Sequence, residues 1–336
     1  MKKSVFDQVC ANLIKNPKRW LVTGVAGFIG SHLLEKLLEL GQSVVGFDNF
    51  SEGHRRNIDE VLSMEKSKTG MFQMVEADLR DAEACLSACD GVDVVLHQGA
   101  LGSVPRSIAQ PLATHANNVD GFINMLNAAK DSGVKRFVYA SSSSVYGDAP
   151  ELPKVEDTIG KPLSPYALSK WINEEYAELY GRVYGMECLG MRYFNVFGPR
   201  QDPHGAYAAV MPRWFTALKK GDPVMIYGDG ETSRDFCFVD NVVQVNLLAA
   251  TTDNAEAYGQ AFNVACEERT TLNELFEAIR DLVCPGSNPQ PLYEDFRPGD
   301  IRHSLADTGK AKRLLGYCPT MDIRSGLRVA APWYLG

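Results

Sequence analysis

The chain has 336 residues, 45% hydrophobic and 23% charged, enough apolar material to bury a large core in one domain or two fused lobes. A formal net charge of −8 speaks against a nucleic-acid surface, so any anionic ligand must be met by local arginines. The eight cysteines lack companions at metal-ligand spacing, and neither a signal-peptide pattern nor a bilayer-length apolar run is present, so the expectation is a cytoplasmic protein with reduced thiols, no metal and no membrane insertion.

Val5, Val9 and Leu13 share one helical face, so residues 1–18 read as a helical extension that ends near Pro17. Residues 19–23 read as a short buried strand. Residues 28–40, with Leu33, Leu34, Leu37 and Leu38 on one face, read as a helix. Between them stands TGVAGFIG, residues 23–30. In this setting Gly24 makes the tight turn, Gly27 lets backbone approach a phosphate, and Gly30 lets helix and strand pack closely. The helix N-terminus, with the free N–H groups of Phe28, Ile29 and Gly30, then faces a dinucleotide pyrophosphate. A second strand at 43–47 leads to Asp48, whose carboxylate can accept from adenosine ribose hydroxyls. Asp48 and Asn49 favour NAD over NADP, because a carboxylate there repels a 2′-phosphate.

Further strands are expected at 71–76, 92–97, 137–141 and 187–193, with helices near 81–89, 112–131 and 166–184. Such alternation implies a doubly wound parallel α/β sheet of Rossmann type. Asp78 and Leu79, just past one strand, fall where the adenine lies, and Ala100 falls by the nicotinamide half. Beyond Pro199 the pattern becomes shorter and mixed, with helices through 211–220, 239–250 and 272–282 and a strand at 224–227. The implied division is a dinucleotide domain at 19–198, with part of 236–265, and a substrate lobe from 199–235 and 266–336.

Tyr166 and Lys170 are four apart, so on a helix their side chains share a face. A phenol titrates near ~10 when free, but a neighbouring ammonium and an oxidised nicotinamide favour the phenolate, which makes the pair a general acid–base. Ser141 to Ser144 follow a strand and can place hydroxyls beside the same substrate oxygen; a solvated turn is the other reading.

From residue 20 to 316 the chain resembles the extended short-chain dehydrogenase/reductase enzymes, and among them the UDP-hexose 4-epimerases. The resemblance is carried by TGVAGFIG, the DN pair at 48–49, DLRD at 78–81, SSSSVYGD at 141–148, SPYALSK at 164–170, RYFNVFGPRQ at 192–201 and SRDFCFVDN at 233–241. ALGSVPRS at 100–107, KVEDTIGKPLSPYALSK at 154–170 and GDIRHSLAD at 299–307 are similar to the bacterial UDP-N-acetylglucosamine 4-epimerases of surface-polysaccharide pathways. The resemblance implies Tyr166 as base, Lys170 as its partner and ribose contact, and Ser142 on the substrate O4, with Ser103, Ser143 and Ser144 near the sugar. Gln98, Asn118 and Tyr193 join the cofactor-binding set. Glycine third in the 97–100 run departs from the usual pattern and is expected to loosen the nicotinamide wall.

For the UDP end the resemblance implies Asn195, Arg234 and Arg297 on the diphosphate, Asp300 on the uridine ribose, and Ala209, Val210, Trp214 and Ile226 around uracil. Ser304 occupies the position where a small residue accompanies N-acetyl substrates. Helices 112–131 and 164–184 imply a homodimer with a four-helix interface. The activity implied is 4-epimerisation of UDP-N-acetylhexosamines with tightly held NAD; a 4,6-dehydratase, a UDP-glucuronate epimerase or decarboxylase, and a non-enzymatic NAD sensor are the rivals.

Overall fold

The computed structural model describes residues 4–203, 209–296 and 302–336, apart from the side chains at 68 and 69. Seven parallel strands form the central sheet: β1 (Arg19–Thr23), β2 (Ser43–Asp48), β3 (Met71–Glu76), β4 (Val94–His97), β5 (Arg136–Ser142), β6 (Glu187–Tyr193) and β7 (Gln260–Val264). Their spatial order is β7-β6-β5-β4-β1-β2-β3, so the chain reverses its direction of progress between β1 and β4. Crossovers leave the sheet on opposite faces there and open a crevice at the carboxyl ends of the two strands, which is where this architecture binds ligands.

The strands read as apolar runs because helices cover both faces. On one face, Leu33, Leu34, Leu37 and Leu38 of the Phe28–Glu39 helix join Val22, Leu96 and Val138 and the Val239–Thr251 helix. On the other, Phe122, Met125 and Leu126 and, from the Pro165–Tyr184 helix, Ala177 and Tyr180 enclose Leu21, Val95 and Phe137. Each fully buried leucine or phenylalanine contributes about 1.5–3 kcal/mol from the water it leaves.

The Val5–Lys15 helix opens with a capping box between Ser4 and Asp7 and packs on the Val239–Thr251 helix. Leu13 is its buried anchor; Val5, on the expected apolar face, is nearly half exposed. A second core lies among the Val210–Lys220, Leu272–Val283 and Ile323–Leu335 helices around Trp214, Phe215, Phe276 and Leu327. Strand β7 and the helices at Arg55–Ser63, Val104–Ala109, Gly309–Leu315 and Ile323–Leu335 lie beyond the elements expected from periodicity.

One expected helix is not continuous. Residues 112–131 divide into Pro111–His115, a wide π turn over Ala116–Asp120, and Gly121–Asp131. A π turn holds an extra residue per turn and re-aims its side chains. Here it presents Asn117 to the crevice and buries Asn118.

Candidate active site

The crevice at the strand ends is a cavity of about 370 Å³. Gly24, at φ +65, begins the turn after β1, and Gly27 donates to its carbonyl at 3.0 Å. A Cβ on Gly30 would stand 2.0 Å from that carbonyl oxygen, so only glycine lets helix and turn meet. Gly27 caps the Phe28–Glu39 helix without a side-chain bond, and Gly24, Gly27, Phe28, Ile29 and Gly30 all line the cavity. The first-turn amides of Phe28, Ile29 and Gly30, which have no partner within the helix, and the positive helix end suit a diphosphate.

Asp48 lines the same cavity, its Oδ2 accepting from Ala26 N–H at 2.9 Å and its Oδ1 from Phe50 N–H at 2.8 Å. Burial raises its pKa above the ordinary aspartate value, and the backbone donors oppose the shift. Lone pairs remain for ribose hydroxyls. Asn49, Leu79, Gln98, Ala100, Tyr166, Lys170 and Tyr193 are also in the wall. Asp78 instead binds the Arg80 guanidinium and accepts from Asn49 Nδ2 at 2.8 Å, so it steadies a lining residue. Asn118 brackets the backbone of Leu101, accepting from its N–H at 2.8 Å and donating to its carbonyl at 3.0 Å. Gln98, Tyr193 and Asn246 form a closed triangle of hydrogen bonds.

The wall is not loosened at Gly99. A Cβ there would meet Leu79 Cδ1 at 2.8 Å and Thr23 Oγ1 at 3.2 Å, while the Gly99 N–H donates to Thr23 Oγ1 at 3.0 Å. Glycine at this position permits close packing against the first turn. Glu52, Gly53, His54, Asn117, Arg200 and Asp202 also line the cavity and were missed from sequence, while Ser141, the first of the expected serine run, lines it as well. Glu52, Gly53, His54, Arg200 and Asp202 sit in loops without periodicity and Asn117 in the π turn, although Arg200 lies inside the quoted 192–201 run.

The Pro165–Tyr184 helix is bracketed by Ser164, whose hydroxyl accepts from Ala167 N–H, Pro165 at its first position, and Gly185 in a left-handed C-cap. Tyr166 thus sits in the first turn and Lys170 one turn on, facing the sheet. Lys170 is buried and donates to the Ala140 carbonyl at 2.8 Å. Burial lowers its pKa to about 8, with Glu174 opposing. Burial raises the Tyr166 phenol, and the Ser142 hydroxyl counters it. Ser142 Oγ lies 3.1 Å from Ser144 Oγ and accepts from Ser144 N–H, capping a short helix at Ser143–Tyr146 that Ser143 begins. Behind them Ser141 Oγ donates to Glu174 at 2.5 Å, and Glu174 holds Arg192 at 2.8 Å. Ser103 lies just beyond Gly102 of the wall and caps the Val104–Ala109 helix.

A second cavity of about 410 Å³ lies in the other lobe, lined by Asn195, Val210, Trp214 and Arg234 together with Arg213, Tyr227, Phe296 and Arg302. Tyr193 lines the first cavity and Asn195 the second, so the two meet around the end of β6. Ile226 is wholly buried in the lobe core, and its strand neighbours Met225 and Tyr227 line the cavity instead, as strand alternation requires. Ala209 is exposed at the start of the Val210–Lys220 helix and outside the lining. Arg297 and Asp300 lie outside the described residues. Asp235 is buried under the N–H groups of Cys266, Glu267 and Ala306. Ser304 donates its backbone N–H to the Ser233 carbonyl at 3.0 Å, next to Arg234. Among the described residues no cluster is arranged for a metal, and no helix is long and apolar enough to cross a membrane.

A doubly wound sheet with a glycine-turn cofactor crevice and a tyrosine–lysine pair defines a dinucleotide-dependent enzyme acting on a bound alcohol. The chain belongs to the NAD dependent epimerase/dehydratase family, which its residues 20–265 match. It is 38% identical to a UDP-glucose 4-epimerase of Mycolicibacterium smegmatis over 92% of this chain and 96% of that one. A UDP-N-acetylglucosamine 4-epimerase of Methanobrevibacter ruminantium, solved with UDP-N-acetylmuramic acid, superposes with a TM-score of 0.87 at 38% identity, covering 95% of this chain and 98% of that one. A UDP-glucuronic acid 4-epimerase of Bacillus cereus, solved with UDP-glucuronic acid and NAD, gives 0.84 at 28% identity, covering 94% and 98%. The chain is therefore an NAD-dependent sugar-nucleotide 4-epimerase by family, and its cofactor is NAD.

Proposed function

We propose that the protein interconverts UDP-GlcNAc and UDP-GalNAc, with weaker turnover of UDP-glucose and UDP-galactose. Bound NAD supplies a hydride acceptor and donor at sugar C4. Tyr166, as phenolate, takes the O4 proton while Ser142 bonds that oxygen and Lys170 favours the phenolate by its charge. The 4-keto sugar turns about its diphosphate link, held by Asn195 and Arg234 with Arg297, so that the hydride would return to the opposite face of C4 while O4 regains its proton from Tyr166. No net oxidation occurs, so NAD stays with the protein between turnovers.

The observation that carries the N-acetyl preference is Ser304: its backbone is tied to Ser233 beside Arg234, and its small side chain leaves room for an acetamido group. The likeness to the Methanobrevibacter enzyme supports it. The test is incubation of the purified protein, without added cofactor, with UDP-GalNAc and separately with UDP-galactose, followed by proton NMR. Faster conversion of UDP-GalNAc is expected; conversion of UDP-galactose alone overturns the pocket reading. The Bacillus relative favours UDP-glucuronate as the second reading, and its exclusive conversion establishes that one instead.

The same reading places the enzyme in the cytoplasm as a supplier of sugar nucleotide for surface polysaccharide. It also includes a homodimer through the helices at 111–131 and 165–184, where Leu112 is 85% exposed and Leu168, Leu179 and Val183 are exposed. Light scattering at a monomer mass would remove the dimer.

A further inference from the structure

An ion pair not used in the reaction above joins a loop to a short helix at the cofactor crevice. Glu52 lies in the loop after β2 and lines the crevice. Its Oε1 is 2.7 Å from Nη1 of Arg106, on the Val104–Ala109 helix. The Arg106 side chain is 18% exposed and that of Glu52 50%, so a packed guanidinium meets a carboxylate at the rim.

Both ends of the pair are anchored. On the Glu52 side, Gly53 has no space for a Cβ, which would stand 2.7 Å from Ala26 Cβ. The His54 N–H and the Asn57 side chain both donate to the Ala26 carbonyl, at 3.0 and 2.8 Å. On the Arg106 side, its backbone N–H donates to Ser103 Oγ at 3.2 Å, and Asn118 fixes Leu101. Ser103 itself holds φ +93, a conformation that a serine keeps only when neighbouring contacts impose it.

The chemistry of the crevice gives the pair a purpose. A carboxylate in the wall of a cavity that receives a diphosphate repels its ligand unless a cation neutralises it. Arg106 supplies that charge and joins the ribose-side loop to the sugar-side loop across the opening.

We propose that Glu52 and Arg106 form a clasp that slows NAD dissociation and keeps the Ser103 loop in register, an inference that rests on the NAD crevice assigned above. The two charges have unequal consequences when removed. Glu52→Gln loses the tie and also the repulsive carboxylate, whereas Arg106→Met loses the tie and leaves the carboxylate unneutralised.

The test is the rate at which holoenzyme loses NAD on dilution and ultrafiltration, with retained dinucleotide measured after acid release. Release about threefold faster is expected for Glu52→Gln and about tenfold faster for Arg106→Met, given the worth of a rim ion pair and the added repulsion. The double variant should return to the Glu52→Gln rate, and raising the salt should speed release from the parent but not from Glu52→Gln. Parent-like release in both single variants, or a double variant no slower than Arg106→Met, overturns the clasp while leaving the cofactor reading intact. A parent protein that neither carries nor takes up NAD overturns both. Circular dichroism and thermal melting of all four proteins separate a folding defect from faster release; a variant that melts like the parent and still loses NAD quickly supports the clasp.

Discussion

At the residue scale the proposed chemistry rests on how burial treats Tyr166 and Lys170. The amine is driven down to about 8 yet stays mostly protonated at neutral pH, because Glu174 lies one turn away. The phenol is driven up, so it needs that ammonium to reach its phenolate. Lys170→Met should therefore move the acid limb of the kcat/KM profile to higher pH and lower turnover at pH 7 by ~10²–10⁴-fold. An unmoved limb would show that the lysine does not set the tyrosine's charge. Tyr166→Phe should abolish epimerisation over a similar range while NAD remains bound; persistent turnover would remove the proposed base. Ser304→Tyr should suppress UDP-GalNAc turnover far more than UDP-galactose turnover, and equal losses would remove the steric account. The Tyr166–Lys170 spacing was legible because four residues on a helix is a local fact. Glu174, buried against Ser141 and Arg192, was not, since that contact joins β5, β6 and the helix.

At the element scale the first turn and its helix depend on backbone proximity. A Cβ at Gly30 overlaps the Gly24 carbonyl, and a flexible side chain cannot relieve it because both partners are backbone. Gly30→Ala should cost about 1–3 kcal/mol of stability, the usual range for overpacking, and should lower NAD content on purification. Urea unfolding and the absorbance of released dinucleotide check both, and unchanged values would show that helix and turn can separate freely. The glycine spacing announced this turn, whereas the π turn at Ala116–Asp120 left no such mark. Its residues read as ordinary helix, and the extra residue is stabilised by Asn118 bridging to Leu101 and to Ser169, contacts formed only after folding.

For the whole molecule, buried titrating groups set the acid response. Burial lowers His32 and His97 to about 3, while an unfolded imidazole titrates near ~6.5. Between those values the unfolded state binds the extra protons, so their stabilising contribution is complete above ~6.5 and is lost as pH falls. Asp235, raised to about 6 by burial, acts in the opposite sense: the folded state holds its proton at pH values where the unfolded state has released it. From these three groups the balance is roughly one proton, so stability should fall by ~1.4 kcal/mol per pH unit between about pH 6 and 5. His32→Gln keeps a donor for the Pro199 carbonyl, which His32 Nε2 meets at 2.9 Å, and should flatten that slope in urea titrations. An unchanged slope would show that His32 protonates normally in the fold.

What the sequence determined by itself was the alternating sheet-and-helix order, the glycine turn, the acidic residue at the end of β2 and the tyrosine–lysine face. Each depends on periodicity or spacing within one element, which short-range sterics and burial enforce. The tertiary structure decided the rest: β7 arriving at the sheet edge, the close packing at Gly99, Ile226 turned inward while Tyr227 faces the cavity, and Arg213 and Arg302 joining Arg234. It also brought Glu52 to Arg106 and His54 to Asp202. Those contacts join residues far apart in the chain, and their side chains meet only because the packed core fixes which loops share the opening.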